Sequence, residues 1–318
     1  MCKISVIVPV YNAAKFISDT LNSIQSQTIN DIEILCIDDG STDDSAKIIQ
    51  ERQVQDARIK YEYQSNQGAG AARNRGIEHS AGEFIAFMDA DDGYPDEYAL
   101  ERLYMAAKRN RAFVCGGSAQ RAGVDFDHDG KRVFDTDGFV CFADYQFDLL
   151  FPRFIFRRSF IMDCNIRFPD LRVYEDPLFL INALIKAKKF FAIHDCVYRY
   201  NGAHQAQTMS REKAKDYLKG LTEELTISAE HQLPQLHRVA FERLEKEAGY
   251  FAEQYLYSDD LTMLSLILDA NGAINKSLLG LDQDYVLPAI VSLWKAGTKY
   301  MKMRNKKIVQ MILHLLKK

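Results

Sequence analysis

Apolar runs of strand length alternate with stretches of helical periodicity through the amino-terminal part of the chain. Strand signals lie at Ile4 to Val10, Ile32 to Ile37, Ile59 to Tyr63, Phe84 to Met88 and Ala112 to Cys115. Between the first two, Phe16, Ile17, Leu21 and Ile24 recur at helical spacing, which predicts a helix from about Ala13 to Gln25 with Asn12 as its N-cap. Further helices are expected from near Thr42, where Ile48 and Ile49 supply apolar positions, from Ala69 to Glu78, and from Pro95 to about Arg109. Strands and helices in this alternation predict a parallel, Rossmann-like α/β sheet.

Beyond residue 117 the pattern changes. Arg121 to Phe139 is polar and rich in Gly and Asp, with a hairpin signal at His128-Asp129-Gly130-Lys131, and predicts an antiparallel excursion or a flap. An apolar run at Phe154 to Phe156 follows, then a helix opened at Glu175-Asp176-Pro177, short strands near Phe190 to Ile193 and Val197 to Tyr200, and a mainly helical region from about Arg211. The boundary is expected between 210 and 220, dividing the chain into a domain of residues 1–215 and a helical region of 216–318.

A composition of 47% hydrophobic and 26% charged residues over 318 positions describes an ordinary globular protein with a sizeable core. The six cysteines form no C-x-x-C pair, which argues against a disulfide framework or zinc cluster and suits a reducing cytoplasm. The first apolar run is too short and wrongly flanked for a signal peptide, and none approaches the length of a membrane span. Charge is unevenly placed: the net −4 combines +8 over residues 295–318, where no acid occurs, with −12 over the remainder. In that tail cationic residues cluster before and after an apolar segment of Val309, Met311, Ile312, Leu313, Leu315 and Leu316, which suits an anionic membrane surface; a helix packed on the protein with exposed lysines is the alternative. No basic, aromatic-interleaved motif supports a nucleic-acid partner.

In an open parallel sheet, ligands bind at the carboxyl ends of the strands. Four polar loops stand there: Pro9-Val10-Tyr11-Asn12, Asp38-Asp39-Gly40-Ser41-Thr42-Asp43, Asn66 to Gly76, and Asp89-Ala90-Asp91-Asp92. If the last continues its strand, Asp89 and Asp91 share a face while Asp92 turns away, giving two hard oxygen ligands for Mg²⁺ or Mn²⁺ with room for water and phosphate. A solvated acidic turn, or the cap of the helix opened by Pro95, would have the same composition. A uracil ring presents an N3–H donor between two carbonyls, which a carboxylate such as Asp39 matches, with Asp38 as the second choice; both acids would also serve to cap the helix near Thr42. Gly68 and Gly70 permit close backbone approach to phosphates, and Arg73 adds a planar cation, although a tight turn has equal need of the glycines. The run Gly68 to Arg73 is G-x-G-x-x-R after the third strand, which excludes a dinucleotide fingerprint. An aspartate-nucleophile phosphatase also carries D-x-D after a strand, but Gly93 stands here where those enzymes usually have Thr or Val.

Together, in this order and spacing, the four loops resemble the family 2 glycosyltransferases of the GT-A fold, closely over residues 3–120 and with fewer landmarks to about 210. The resemblance implies a GT-A α/β domain with a carboxy-terminal, mainly helical extension. It implies an inverting, Mn²⁺- or Mg²⁺-dependent transfer from a UDP-sugar donor to a hydroxyl of a glycan or lipid-linked acceptor, in cell-surface polysaccharide or glycolipid assembly. Pro9, Tyr11 and Asn12 would line the nucleotide pocket, Asp39 would hold the base, Arg73 would lie by the nucleotide and its diphosphate, Asp89 would reach ribose or metal, and Asp91 would bind metal. Tyr174-Glu175-Asp176-Pro177 resembles the family's Glu-Asp base motif, which implies Asp176 as the base. An Asp before Pro is also a good N-cap, in which case Glu175 takes the role. Arg199, His204 and Ser210 fall where related enzymes bring a loop over the diphosphate, with His204 a further candidate metal ligand; His194 reads as structural. A nucleotidyltransferase of similar fold and a non-catalytic nucleotide-sugar-binding module are the competing readings.

Overall fold

Residues 2–122, 130–201, 209–255 and 261–291 are described by a computed structural model of the chain. They belong to two units, Met1–Thr208 and Met209–Lys318. The first unit is built on one mixed sheet of eight strands in the order β3-β2-β1-β4-β7-β5-β8-β6. Its strands are β1 (Ile4–Val10), β2 (Ile32–Asp38), β3 (Ile59–Tyr63), β4 (Phe84–Phe87), β5 (Val114–Arg121), β6 (Gly138–Cys141), β7 (Phe154–Arg157) and β8 (Lys189–Tyr200).

The first four strands are mutually parallel, as the alternation predicts. The second half corrects that expectation. Strand β7 inserts between β4 and β5 and runs antiparallel to both, and β6 runs antiparallel to β8. Phe154, Ile155 and Phe156 are at most 1% exposed, so β7 is buried on both faces. A run apolar on both faces carries no periodicity from which its direction could be read. Strand β8 joins the two short strands expected near 190 and 197 into one, with register shifts against β5 on either side of Ser118. In the extra length, His194 gives its backbone amide to Asp137 and pairs with it through Nδ1 at 2.7 Å, the structural role expected of it. The hairpin signal at 128–131 lies partly outside the described residues.

The helices of this unit are α1 (Ile17–Gln25), α2 (Ser45–Gln55), α3 (Ala69–His79), α4 (Ala99–Arg109), α5 (Phe142–Tyr145), α6 (Arg158–Asp163) and α7 (Glu175–Ala187). Ile17, Leu21 and Ile24 of α1 and Leu100 and Leu103 of α4 join the apolar core against β1, β2 and β4. Two helix starts differ from the sequence reading. Asn12 caps nothing, because its Oδ1 accepts the Thr42 amide at 2.8 Å, while the Ala13 and Ala14 amides go to Ser45 Oγ and Asp43 Oδ2. With those donors committed to the neighbouring loop, α1 begins only at Ile17. Pro95 likewise opens no helix; α4 starts at Ala99, and Gln27 Oε1 accepts the Leu100 amide at 3.0 Å in place of a local cap.

The second unit is helical in its described part: α8 (Arg211–Glu230), α9 (Pro234–Tyr255), α10 (Leu261–Gly272) and α11 (Lys276–Leu279). Ser210 caps α8 by accepting the Lys213 amide. Buried His237 bonds Ser228 through Nδ1 and the Asn275 amide through Nε2. No helix among the described residues is long and apolar enough to cross a membrane.

Candidate active site

At the carboxyl ends of β1, β2 and β3 the loops interlock. Asn12, at φ 50°, also gives its amide to Ser41 Oγ. Asp38 Oδ1 accepts the Ser41 amide and its Oδ2 the Tyr61 hydroxyl, both at 2.8 Å. Asp39 is buried beside it: Oδ1 accepts Gln64 Nε2 and the Gln67 amide, and Oδ2 the Gly68 amide, each at 2.8 Å. Neither acid caps α2, whose first amide is met by Asp43 Oδ1. Gly68, at φ 93°, turns its amide toward Asp39 in a backbone conformation that a side-chain-bearing residue would resist. Pro9 stands opposite Ile37 in the sheet, and Tyr11 is 54% exposed.

The acidic segment after β4 is not extended. The strand ends at Phe87, and the Asp92 amide bonds back to the Asp89 carbonyl at 3.1 Å, closing a turn. Asp89 and Asp91 therefore do not share a strand face, which corrects the alternation argument, and they meet different neighbours. Asp89 Oδ1 receives Arg73 Nη2 at 2.9 Å. Asp91 lines a cavity of about 710 Å³ with Phe16, Asp19, Tyr94, Arg199 and Asn201. Asp92 is buried: it is 1% exposed, with Oδ1 accepting the Asn201 amide and Oδ2 the Tyr198 hydroxyl, both at 2.9 Å. Burial raises its pKa to about 6, with the Asn201 amide opposing and the charges of Asp89 and Asp91 adding to the rise.

Arg73, on α3, gathers the acids. It is 6% exposed, and Nη1 donates to Glu175 Oε1 at 2.9 Å while Nη2 holds Asp89. The guanidinium carbon lies 4.9 Å from the Phe151 ring centre and 5.3 Å from that of Phe168. Burial disfavours its charge, but Asp89, Glu175 and Asp176 outweigh that and raise its pKa. The cation thus faces the Asp89 and Glu175 carboxylates and the Phe151 and Phe168 rings. A Cβ on Gly70 would lie 3.2 Å from Glu175 Cγ and 3.3 Å from the Pro169 carbonyl oxygen, so the small residue lets the start of α7 come close to α3.

Helix α7 begins at Glu175, with Tyr174 at the N-cap position in the left-handed region and no side-chain cap. Asp176 therefore lies inside the first turn, and the capping alternative is set aside. Burial and then the neighbouring Glu175 charge raise the Asp176 pKa to about 7; Arg73 opposes the rise and Asp89 adds to it. The structure thus brings together Arg73, Asp89, Glu175 and Asp176 at one place and Asn12, Asp39 and Gly68 at another on the same sheet edge. His204 lies outside the described residues. Tyr198, Asn201, Phe151 and Phe168 were not foreseen; the signal available was the polar-aromatic stretch Tyr198 to Asn201 at the end of the second strand-like run.

Among the described residues no three His, Cys, Asp or Glu side chains form a ready-made metal site. Two carboxylates in one turn, Asp89 and Asp91, are nonetheless a donor set that fits a hard ion completing its shell with water and phosphate oxygens.

Residues 5–169 match the model of Glycosyl transferase family 2. The chain belongs to this family. It is 31% identical to the uncharacterized glycosyltransferase EpsJ of Bacillus subtilis, over 62% of this chain and 60% of that one. It is 34% identical to a poly(ribitol-phosphate) beta-glucosyltransferase of Bacillus spizizenii, over 65% and 33% respectively. The chain thus spans less than two thirds of the length of either relative. Among solved structures, S. aureus TarS residues 1–349 in complex with UDP-GlcNAc superposes with a TM-score of 0.76 at 21% identity, over 94% of this chain and 91% of that one. The mixed eight-stranded sheet is accordingly that of the GT-A fold.

Proposed function

We propose that this family 2 chain moves a sugar from a UDP-sugar to a hydroxyl acceptor with inversion at the anomeric carbon. The carrying observation is the cluster in which Arg73 ties Asp89 to Glu175, with Asp176 beside it, its pKa raised by burial and the Glu175 charge in the direction a general base needs. In this reading Asp176 takes the proton of the acceptor hydroxyl as that oxygen attacks the face of the sugar opposite the departing diphosphate. Arg73 fixes Glu175 and Asp89 on either side of itself. Asp39 Oδ2 accepts one donor, the Gly68 amide, and keeps acceptor capacity for the N3–H of uracil. Asp89 and Asp91 would hold Mn²⁺ or Mg²⁺, whose charge stabilises the departing diphosphate. The UDP-GlcNAc in TarS supports a UDP-sugar donor, and the poly(ribitol-phosphate) named for one relative supports a cell-surface polymer or glycolipid as acceptor. Work on such an acceptor would place the chain at the inner face of the cell membrane, with the basic tail of residues 295–318 as its contact.

Incubation with a panel of UDP-sugars and Mn²⁺, followed by detection of released UDP and of the extended acceptor, tests the reading. Asp176→Asn is expected to lower UDP release by at least a thousandfold while UDP still binds. A near-normal rate in that variant would reassign the base. Pyrophosphate in place of UDP among the products would make the chain a nucleotidyltransferase.

A further inference from the structure

The turn that carries Asp89 and Asp91 is gripped by Tyr198 of β8 and by Asn201, the residue just after that strand. The Tyr198 side chain is fully buried, and its hydroxyl has a single proton, which goes to Asp92 Oδ2 at 2.9 Å. A lone pair of the same oxygen faces the Asp89 amide at 3.3 Å, and an amide can only donate. One hydroxyl thus bridges the first and last residues of the turn. Asn201 adds two more ties: its amide donates to Asp92 Oδ1 at 2.9 Å, and its Nδ2 donates to the Asp91 carbonyl at 3.0 Å. From the other side, Thr20 Oγ1 lies 2.9 Å from the Ala90 carbonyl and 2.8 Å from the Asp92 carbonyl and has one proton to share between them. Backbone bonds between Gly93 and Arg199 continue the attachment.

We propose that Tyr198 and Asn201 are positioning residues for the metal and diphosphate site, and that Asp92 is the buried post they grip rather than a third metal ligand. The inference rests on the reading of Asp89 and Asp91 as the metal-binding pair. Each Asp92 oxygen is held by a protein donor and the side chain is 1% exposed, so its remaining acceptor sites face the protein interior and have no open approach for an ion. What Asp92 contributes is an acceptor strong enough to orient the Tyr198 hydroxyl, and through it the Asp89 backbone. Partners that orient the groups holding an ion typically govern its affinity by ten- to a hundredfold, though they never touch it.

Calorimetry on the full chain separates these roles, with UDP titrated in the absence and presence of Mn²⁺. Tyr198→Phe keeps the ring and removes the hydroxyl; it is expected to weaken Mn²⁺ affinity in the UDP complex about tenfold or more and to leave metal-free UDP binding within about twofold. Asn201→Ala, which keeps its own backbone amide and so the bond to Asp92, is expected to act in the same direction by a smaller factor. Because Asn201 is half-buried at the end of a strand, this second variant tests the idea even if the tyrosine change impairs folding. Asp91→Ala serves as the control that should abolish the manganese dependence altogether. Folded Tyr198→Phe and Asn201→Ala proteins with unaltered Mn²⁺ affinity would overturn the positioning role alone. A wild-type chain whose UDP binding ignores Mn²⁺ would overturn the metal reading and this inference with it.

Discussion

A carboxyl group that ionises near neutrality can accept a proton in the cell and still bind it firmly, which an ordinary aspartate near pH 4 does poorly. The Asp176 pKa is raised toward that range, and the causes of its shift supply a test that separates it from its neighbour. Burial is the largest cause and the Glu175 charge the next, both raising the pKa. An ionised Asp176 is the active form, so wild-type kcat/KM should fall about tenfold per pH unit below about 7. Glu175→Gln removes the neighbouring negative charge but keeps an acceptor oxygen for Arg73, so Asp176 becomes easier to ionise. Its acid limb is therefore expected to move to lower pH, read from kcat/KM against pH with activity retained on the plateau. Complete loss of turnover at every pH in Glu175→Gln would instead make Glu175 the base. None of this was readable from composition: the two acids were legible through their resemblance to the family's Glu-Asp motif, whereas the environment of Asp176 includes Arg73, more than a hundred positions away in sequence.

At the scale of elements, the strands were legible and their attachments were not. Largely apolar runs marked β1, β2 and β4, because a central parallel strand is buried on both faces, whereas β3, at the sheet edge, alternates Ile59, Tyr61 and Tyr63 with Lys60 and Glu62. Helix starts were misread wherever the deciding hydrogen bond came from elsewhere in the chain, as when Thr42 takes Asn12 or Gln27 meets Leu100. The acidic turn was legible as chemistry, but Tyr198 grips it from 106 positions away, beyond any local pattern. A further hidden attachment lies at the opposite edge of the sheet. Glu33 of β2 is 5% exposed and accepts from Ser5 of β1, Lys60 of β3 and the Ala81 amide. Burial works against its ionisation, but Lys60, Ser5 and Ala81 prevail and hold its pKa below the ordinary range. A depressed carboxylate pKa contributes stability above the unfolded value and loses it as pH falls through the folded one. Glu33→Ala should thus cost about 2 kcal/mol at pH 7, moderated by the exposure of Lys60. Urea unfolding at pH 7 and pH 4 is expected to show the deficit shrinking at the lower pH, with UDP affinity unchanged at both.

Over the whole molecule, the separation of charge is the property that composition alone discloses and averages conceal. Residues 1–294 carry −12 and residues 295–318 carry +8 with no acid among them. An anionic bilayer would repel the body and attract the tail, so adsorption through the tail should orient the chain as well as hold it. Each Lys or Arg near such a surface is worth roughly 1 kcal/mol, and the attraction decays over a Debye length of about 8 Å at physiological salt. Eight such charges suffice for reversible binding, and Val309, Ile312, Leu313 and Leu316 would add an apolar component that salt does not screen. Full-length protein should sediment with vesicles containing phosphatidylglycerol and much less with neutral phosphatidylcholine vesicles, and about 0.5 M salt should reduce the former without abolishing it. Deleting residues 295–318 should leave the protein in the supernatant while preserving UDP release with a soluble acceptor, because none of Arg73, Asp89, Glu175 and Asp176 lies in the tail. Equal sedimentation of the truncated chain would move the membrane contact to another surface, and binding to neutral vesicles would show that charge is not what brings the protein there.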